Sequence, residues 1–267
     1  MAVNPLANHH EAAARVMPGR DPDAIKRMYV DLGADWWEAH ANDLDAVPAL
    51  SLPETHPAVT RLLEPTQGLL LDAGCGPNPT VSCALAATSS RTVVSLDIGL
   101  GTVRTACAIA ARRGVHVLGV VGDVERLPFR AGAFDGVACD DTVEHLPDDA
   151  AGVAELLRVA RRGAPVVVAT PNRHNVYILW ARLRDRLRGR RHPLEHYFVS
   201  SSHLREYSWP EVERLVGART VVRSRVGCGW ERTSTSVTAR LASWLVRRPP
   251  TRRFSSMIVV LAAGTGA

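Results

Sequence analysis

Asp72, Asp97 and Asp123 each close an apolar or β-branched run: Leu69-Leu-Leu-Asp72, Arg91-Thr-Val-Val-Ser-Leu-Asp97 and Val117-Leu-Gly-Val-Val-Gly-Asp123. Acids at the carboxyl ends of successive strands can hold a nucleoside. The first run breaks at once into Asp72-Ala73-Gly74-Cys75-Gly76, a turn in which glycine lets the backbone pass close to a ligand. Where a dinucleotide-binding turn has its third glycine this chain has Pro79, and an acid at position 72 opposes a phosphate and suits a cationic ligand. Asp97 follows the turn by about 20 residues, the offset at which a nucleotide-binding α/β fold places the acid that accepts both ribose hydroxyls. Asp123 can accept from an exocyclic amine while the Val124 amide donates to a ring nitrogen, which describes adenine.

Asp72-Ala-Gly-Cys-Gly76, Asp97, Gly122-Asp123-Val-Glu-Arg-Leu-Pro128, Phe134-Asp-Gly-Val-Ala-Cys-Asp140, Glu144-His145-Leu146 and Val168-Ala-Thr-Pro171-Asn172 together make the chain resemble the class I S-adenosylmethionine-dependent methyltransferases over residues 57 to 263. The resemblance implies that Asp72, Ala73, Gly74, Cys75 and Gly76 meet the methionine part of S-adenosyl-L-methionine and that Asp97 holds the ribose. It also implies that Ile98 packs on the adenine read by Asp123 and Val124, and that Asp140 closes the site at the fourth strand. The fold implied is a doubly wound α/β, Rossmann-like sheet of order 3-2-1-4-5-7-6 with the last strand antiparallel.

Methyl transfer from a sulfonium needs in-line geometry and an acceptor lone pair, and a general base helps when the acceptor is a hydroxyl. His145, just beyond the fourth strand, is the base candidate. Asp141, Glu144 and His145 with the distal His203 also resemble the Glu-x-x-Glu-His set plus histidine that binds a divalent ion in small-RNA 3′-end 2′-O-methyltransferases and, in part, in ubiquinone-pathway O-methyltransferases. Asp141 departs from that pattern by its shorter arm. His145 acting alone is the preferred reading, with the metal ion second.

The elements that must position these residues alternate. Strands fit residues 67–73, 91–98, 115–122, 134–140 and 164–170, with helices at 79–87, 101–113 and 148–162 between them, the pattern of a parallel sheet covered on both faces. A helix near 209–216 and strands near 219–227 and 256–263 complete the sheet. Residues 1–56 read as an N-terminal helical cap, with a helix over 23–43 carrying Tyr29, Trp36 and Trp37, and residues 57–267 as the methyltransferase domain. Two insertions build the lid, about 172–208 and 234–250. In the first, Val176, Leu179, Trp180, Leu183 and Leu187 repeat at helical spacing among Arg182, Arg184, Arg186 and Arg188, which predicts a lid helix with one buried and one solvated face. Contact of that helix with an anionic membrane is the second reading. His174, His192 and His196 in the insertion read as surface residues.

A chain of 267 residues with 46% hydrophobic content can bury one sizeable core with embellishments. Net charge is +5, yet Lys26 is the only lysine among 32 basic residues and no aromatic-interleaved platform accompanies the arginines, so nucleic acid is not the expected partner. Five cysteines without paired spacing, no leader-like start and no apolar run near 18 residues point to a cytoplasmic protein that is soluble or peripheral. The function read from the sequence is methyl transfer to a small-molecule hydroxyl, a quinol, phenol or glycosyl group in lipid or secondary metabolism. N-methylation of an amino sugar or small amine, and cofactor binding without turnover, remain alternatives. Oligomeric state has no sequence signal.

Overall fold

The computed structural model describes residues 21–40, 55–192, 194–197, 202–228 and 251–266. Its core is one seven-stranded sheet of order β3-β2-β1-β4-β5-β7-β6. The strands are β1 (Gly68–Ala73), β2 (Arg91–Asp97), β3 (Leu118–Val121), β4 (Gly136–Asp140), β5 (Pro165–Pro171), β6 (Val222–Cys228) and β7 (Met257–Ala263). The first five pair in parallel, and β7 runs antiparallel between β5 and β6. The order read from the sequence is therefore the order observed.

Central strands buried on both faces must be apolar at consecutive positions, and β1, β4 and β5 are. Leu71, Val94, Leu96, Val137 and Val166 point to one face, where Leu156 and Val153 of α5 (Asp149–Val159) and Val212 and Val216 of α7 (Trp209–Gly217) cover them. Leu70, Val93, Ala138 and Val167 point to the other, under Val59 and Leu63 of α2 (Thr55–Leu63), Val81 and Leu85 of α3 (Thr80–Ala86) and Ala110 of α4 (Leu100–Arg112). Each buried Leu or Val contributes about 1.5–3 kcal/mol, so this double layer dominates the stability of the scaffold. The short α2, with Pro57 in its first turn, is a helix that the sequence pattern did not single out.

An N-terminal helix, α1 (Pro22–His40), packs against α4. The first insertion carries α6 (Val176–Leu187), whose entry is capped by Asn175 accepting from the Ile178 amide at 2.9 Å. The apolar face of α6 departs from expectation. Val176, Trp180, Leu183 and Leu187 are all exposed, Trp180 at 62% and Leu187 at 76%, while Ile178 and Asp185 face the protein. Helical spacing shows which residues share a face; here the face that meets the protein is the one holding the aspartate. The helix expected within the second insertion lies outside the described residues, as do the side chains of Trp36 and Trp37.

Candidate active site

The site lies along the edge of the sheet where the parallel strands end. After β1 the chain turns through Gly74 at φ +79° and Gly76 at φ +61°, and the Gly74 and Cys75 amides both donate to the Leu96 carbonyl, clamping the turn to β2. The two glycines are needed for different reasons. A Cβ on Gly74 would come within 2.2 Å of Thr142 Oγ1, so the turn packs directly on the loop after β4. A Cβ on Gly76 would meet nothing within 4 Å, which leaves that backbone facing open space. Asp72 is buried and accepts from Ser82 Oγ at 2.5 Å, and Ser82 in turn accepts from Ser95 at 2.7 Å, so this carboxylate ties β1 to α3. Burial, followed by the charges of Asp97 and Asp72, holds the Cys75 thiol well above its usual pKa, which suits a packing role and not that of a nucleophile.

Asp97 accepts from the Gly76 amide at 3.1 Å and the Gly99 amide at 3.2 Å, one bond on each oxygen. Burial raises its pKa, and the amides of Gly99, Gly76 and Ile98 oppose the rise. Each oxygen still has lone-pair capacity for a ligand hydroxyl. Asp123 accepts from the Glu125 amide at 3.0 Å through Oδ1, while its Oδ2 lies 2.5 Å from Lys26 Nζ of α1, which also pairs with Glu125. The only lysine of the chain thus sits on the carboxylate that the sequence assigns to adenine. Val124 is buried against Gly152 and Leu146.

At the end of β4, Asp140 is buried and Asp141 adopts a left-handed φ of 50° with its amide donating to the Ala169 carbonyl. A 3₁₀ turn, Val143–His145, follows. Glu144 points inward and is completely buried. Thr170 donates to its Oε2 at 2.9 Å, and its Oε1 has no hydrogen-bond partner among the described residues. Burial, then the charge of Asp141, pushes the Glu144 carboxyl well above the usual range. The return of the first insertion is fastened over this turn: the Leu204 amide donates to the Glu144 carbonyl, and Arg205 donates to the Leu146 and Pro147 carbonyls.

That fastening brings His203 to His145, with ring centroids 4.8 Å apart. His145 Nδ1 lies 3.1 Å from the Ser202 carbonyl and His203 Nδ1 lies 3.0 Å from Glu206 Oε1. Each acceptor calls for the Nδ1–H tautomer, in which Nε2 is the acceptor nitrogen of the ring, and the Tyr29 hydroxyl lies 3.3 Å from that of His145. His145 Nε2 is 4.0 Å from the orphaned Glu144 Oε1, and one donor atom each from Glu144, His145 and His203 lies within 4.8 Å of the others. Asp141 is exposed and outside this cluster, so of the four residues expected to share an ion, three meet. From α1, the Tyr29 hydroxyl reaches His145 at 3.1 Å and donates to Ser202 Oγ at 3.0 Å. Its own pKa is raised by burial and by the charges of Glu144 and Asp97.

Residues 71–168 match the methyltransferase domain family. The chain is 29% identical over 160 residues to the ubiquinone biosynthesis O-methyltransferase of Hahella chejuensis, and the match takes in 58% of this chain and 64% of that enzyme. Residues 71–168 thus carry a methyltransferase domain, and the match spans less than two thirds of the length of that relative. A second relative, the norajmaline N-methyltransferase of Rauvolfia serpentina, is 33% identical over 111 residues, 40% of this chain and 37% of that one. Among solved structures, the magnesium protoporphyrin IX methyltransferase of Synechocystis, determined with bound SAH, shares the fold at a TM-score of 0.54 and 16% identity over 97% of this chain and 95% of that one.

The family match contains Asp72, Asp97, Asp123 and His145, whereas Tyr29, Ser202, His203 and Glu206 lie outside it. The methyltransferase domain therefore surrounds its shared strand edge with groups from α1 and from the insertion. Sequence reading found Tyr29 only as an aromatic of the cap and missed Ser202 and Glu206. The His203-Leu-Arg-Glu206 spacing was a visible signal for one of these, because residues three apart can meet on one turn.

Proposed function

We propose that this methyltransferase domain moves a methyl group from S-adenosylmethionine to the hydroxyl of a small apolar acceptor, a quinol or phenol of lipid or secondary metabolism. The observation that carries the reading is the place of His145 at the strand end, where the Ser202 carbonyl accepts from Nδ1–H and the Tyr29 hydroxyl lies beside the ring, 3.3 Å from Nε2, the nitrogen that acts as acceptor. S-adenosylmethionine supplies the electrophilic methyl on its sulfonium. Gly76 fits it by leaving open space at the β1 turn, Asp97 fits the ribose hydroxyls, and Asp123 the adenine amine once Lys26 gives up part of its hold. With the cofactor bound, His145 Nε2 would take the acceptor proton while the methyl passes to the hydroxyl oxygen, its bond to sulfur breaking so that the electron pair stays on a neutral thioether. Tyr29 and Ser202 hold the imidazole in place, and α1 acts as a cap that excludes water.

Incubating the full chain with methyl-labelled S-adenosylmethionine and a panel of catechols, polyprenyl quinols, phenols and amines tests the reading. Label is expected on oxygen of the quinol or phenol. Transfer to amines alone would replace it with N-methylation, in line with the norajmaline relative, and cofactor binding without label on any acceptor would leave a binding protein.

A second reading is favoured by the orphaned Glu144 Oε1. Glu144, His145 and His203 fit a divalent ion, and Glu206 would orient His203 behind it. An ion there would orient vicinal acceptor oxygens and lower the pKa of the one that reacts.

The partner surface we assign to α6 is an anionic membrane. Its exposed apolar stripe is flanked by Arg182, Arg184, Arg186 and Arg188, each worth about 1 kcal/mol near an anionic surface. None of the helices among the described residues is long and apolar enough to cross a membrane. Phosphatidylglycerol vesicles should retain the protein and phosphatidylcholine vesicles should not, and the Leu183→Glu, Leu187→Glu double variant should lose retention. Equal behaviour of variant and parent in flotation would remove the membrane from the proposal.

A further inference from the structure

The only carboxylate of α6, Asp185, is buried (5% exposed) in a helix whose arginines all face solvent. The Asp185 backbone carbonyl accepts from the Arg188 and Arg190 amides, and this turns the chain back toward a 3₁₀ turn, Leu194–Tyr197. The return stacks His192 on His196, ring centroids 4.0 Å apart at 19°, and sets one nitrogen of each within 4.8 Å of a carboxylate oxygen of Asp185. Tyr197 donates to Asp185 Oδ2 at 3.3 Å.

We propose that Asp185, His192 and His196 form a binding site for a first-row transition ion of the zinc type, which pins the C-terminal end of the basic helix to the segment that follows it. Two imidazoles and one carboxylate are a nitrogen-rich, borderline donor set, suited to Zn²⁺, Co²⁺ or Ni²⁺ and poorly suited to Mg²⁺ or Ca²⁺, which take oxygen. Three protein ligands leave the fourth tetrahedral position to water. The competing cation is Arg184, whose Nε lies 3.6 Å from Asp185 Oδ1. A doubly charged ion at a coordination distance near 2 Å would attract that carboxylate about 3.6 times as strongly, since the energy scales as charge over distance. The remaining arginines are exposed and act through water, where each costs an ion some 10 Å away less than about 1 kcal/mol. The chemistry is separate from the cluster at Glu144, and the inference does not rest on the methyl-transfer reading.

The test uses the tag-free full chain, stripped with a chelator and titrated with Zn²⁺ by calorimetry and with Co²⁺ by visible absorption. The parent should bind one equivalent more than the His192→Ala, His196→Ala double variant. The Glu144→Gln, His203→Ala variant, altered only at the other cluster, should keep that equivalent. Because both histidines are exposed, the double variant should keep the fold, which a far-ultraviolet spectrum checks. Zn²⁺ should also slow tryptic cleavage after Arg188, Arg190 and Arg191 in the parent alone. An equal number of ions in the parent and the His192→Ala, His196→Ala variant, zero included, overturns the site.

Discussion

Replacing His145 with alanine should lower the rate of methyl transfer by about 10²–10⁴-fold and leave S-adenosylmethionine affinity unchanged, because a positioned general base contributes that much when the acceptor is a hydroxyl. The partner groups sharpen the expectation. Ser202 gives its backbone carbonyl to Nδ1 and cannot be deleted by mutation, so the imidazole has one well-held tautomer, whereas Tyr29→Phe removes only the hydroxyl contact and should cost less than His145→Ala. Chelation separates the two readings of this end of the site. With His145 acting alone, chelators change nothing and His203→Ala is mild. With an ion on Glu144, His145 and His203, chelation abolishes turnover, a first-row transition ion such as Mn²⁺, Co²⁺ or Zn²⁺ restores it, and His203→Ala matches His145→Ala.

Glu144 gives a second discriminant through stability. Burial raises its folded-state pKa well above the unfolded value, so above the unfolded value the unfolded chain releases this proton more readily than the folded one. Stability should then fall as pH rises from the usual carboxylate range toward the raised value, and Glu144→Gln should remove that slope and raise the melting temperature at neutral pH. If an ion holds Glu144, the same substitution should lower the melting temperature in the presence of metal instead. Full activity of metal-free His145→Ala would discard both readings and leave proximity and the electrophilicity of the cofactor as the mechanism.

Asp97→Ala is expected to weaken S-adenosylmethionine binding by about 2 kcal/mol or more, roughly 30-fold, since the substitution deletes an ionised acceptor and leaves two ribose hydroxyls unpaired in a crevice. The Gly76 and Gly99 amides that donate to Asp97 lose their partner as well, so the glycine turn should loosen along with the ribose contact. Asp97→Asn keeps the shape and half the acceptor capacity and should fall between the two. Calorimetry showing unchanged affinity for Asp97→Ala would take this residue out of the cofactor site.

The strand ends were legible in the sequence for a physical reason. A buried parallel strand is a continuous apolar run, and the acid or glycine that ends it is a sharp break, so the chain alone assigns Asp72, Asp97, Asp123 and Asp140 to one edge. The positive φ of Gly74 and Gly76 follows from the same local signal, although the collision that excludes a side chain at Gly74 comes from Thr142, 68 residues away. Groups joined only by folding left no such trace. Tyr29 meets His145 across 116 residues, and Ser202 meets it across 57. Lys26 reaches Asp123 because α1 lies on α4, a packing that no periodicity in either helix announces. In α6 the sequence showed the stripe from Val176 to Leu187 without its direction. A repeat of apolar residues says which side chains share a face, and only the neighbouring elements decide whether that face meets the protein or the solvent, here turning Asp185 inward and Trp180 out.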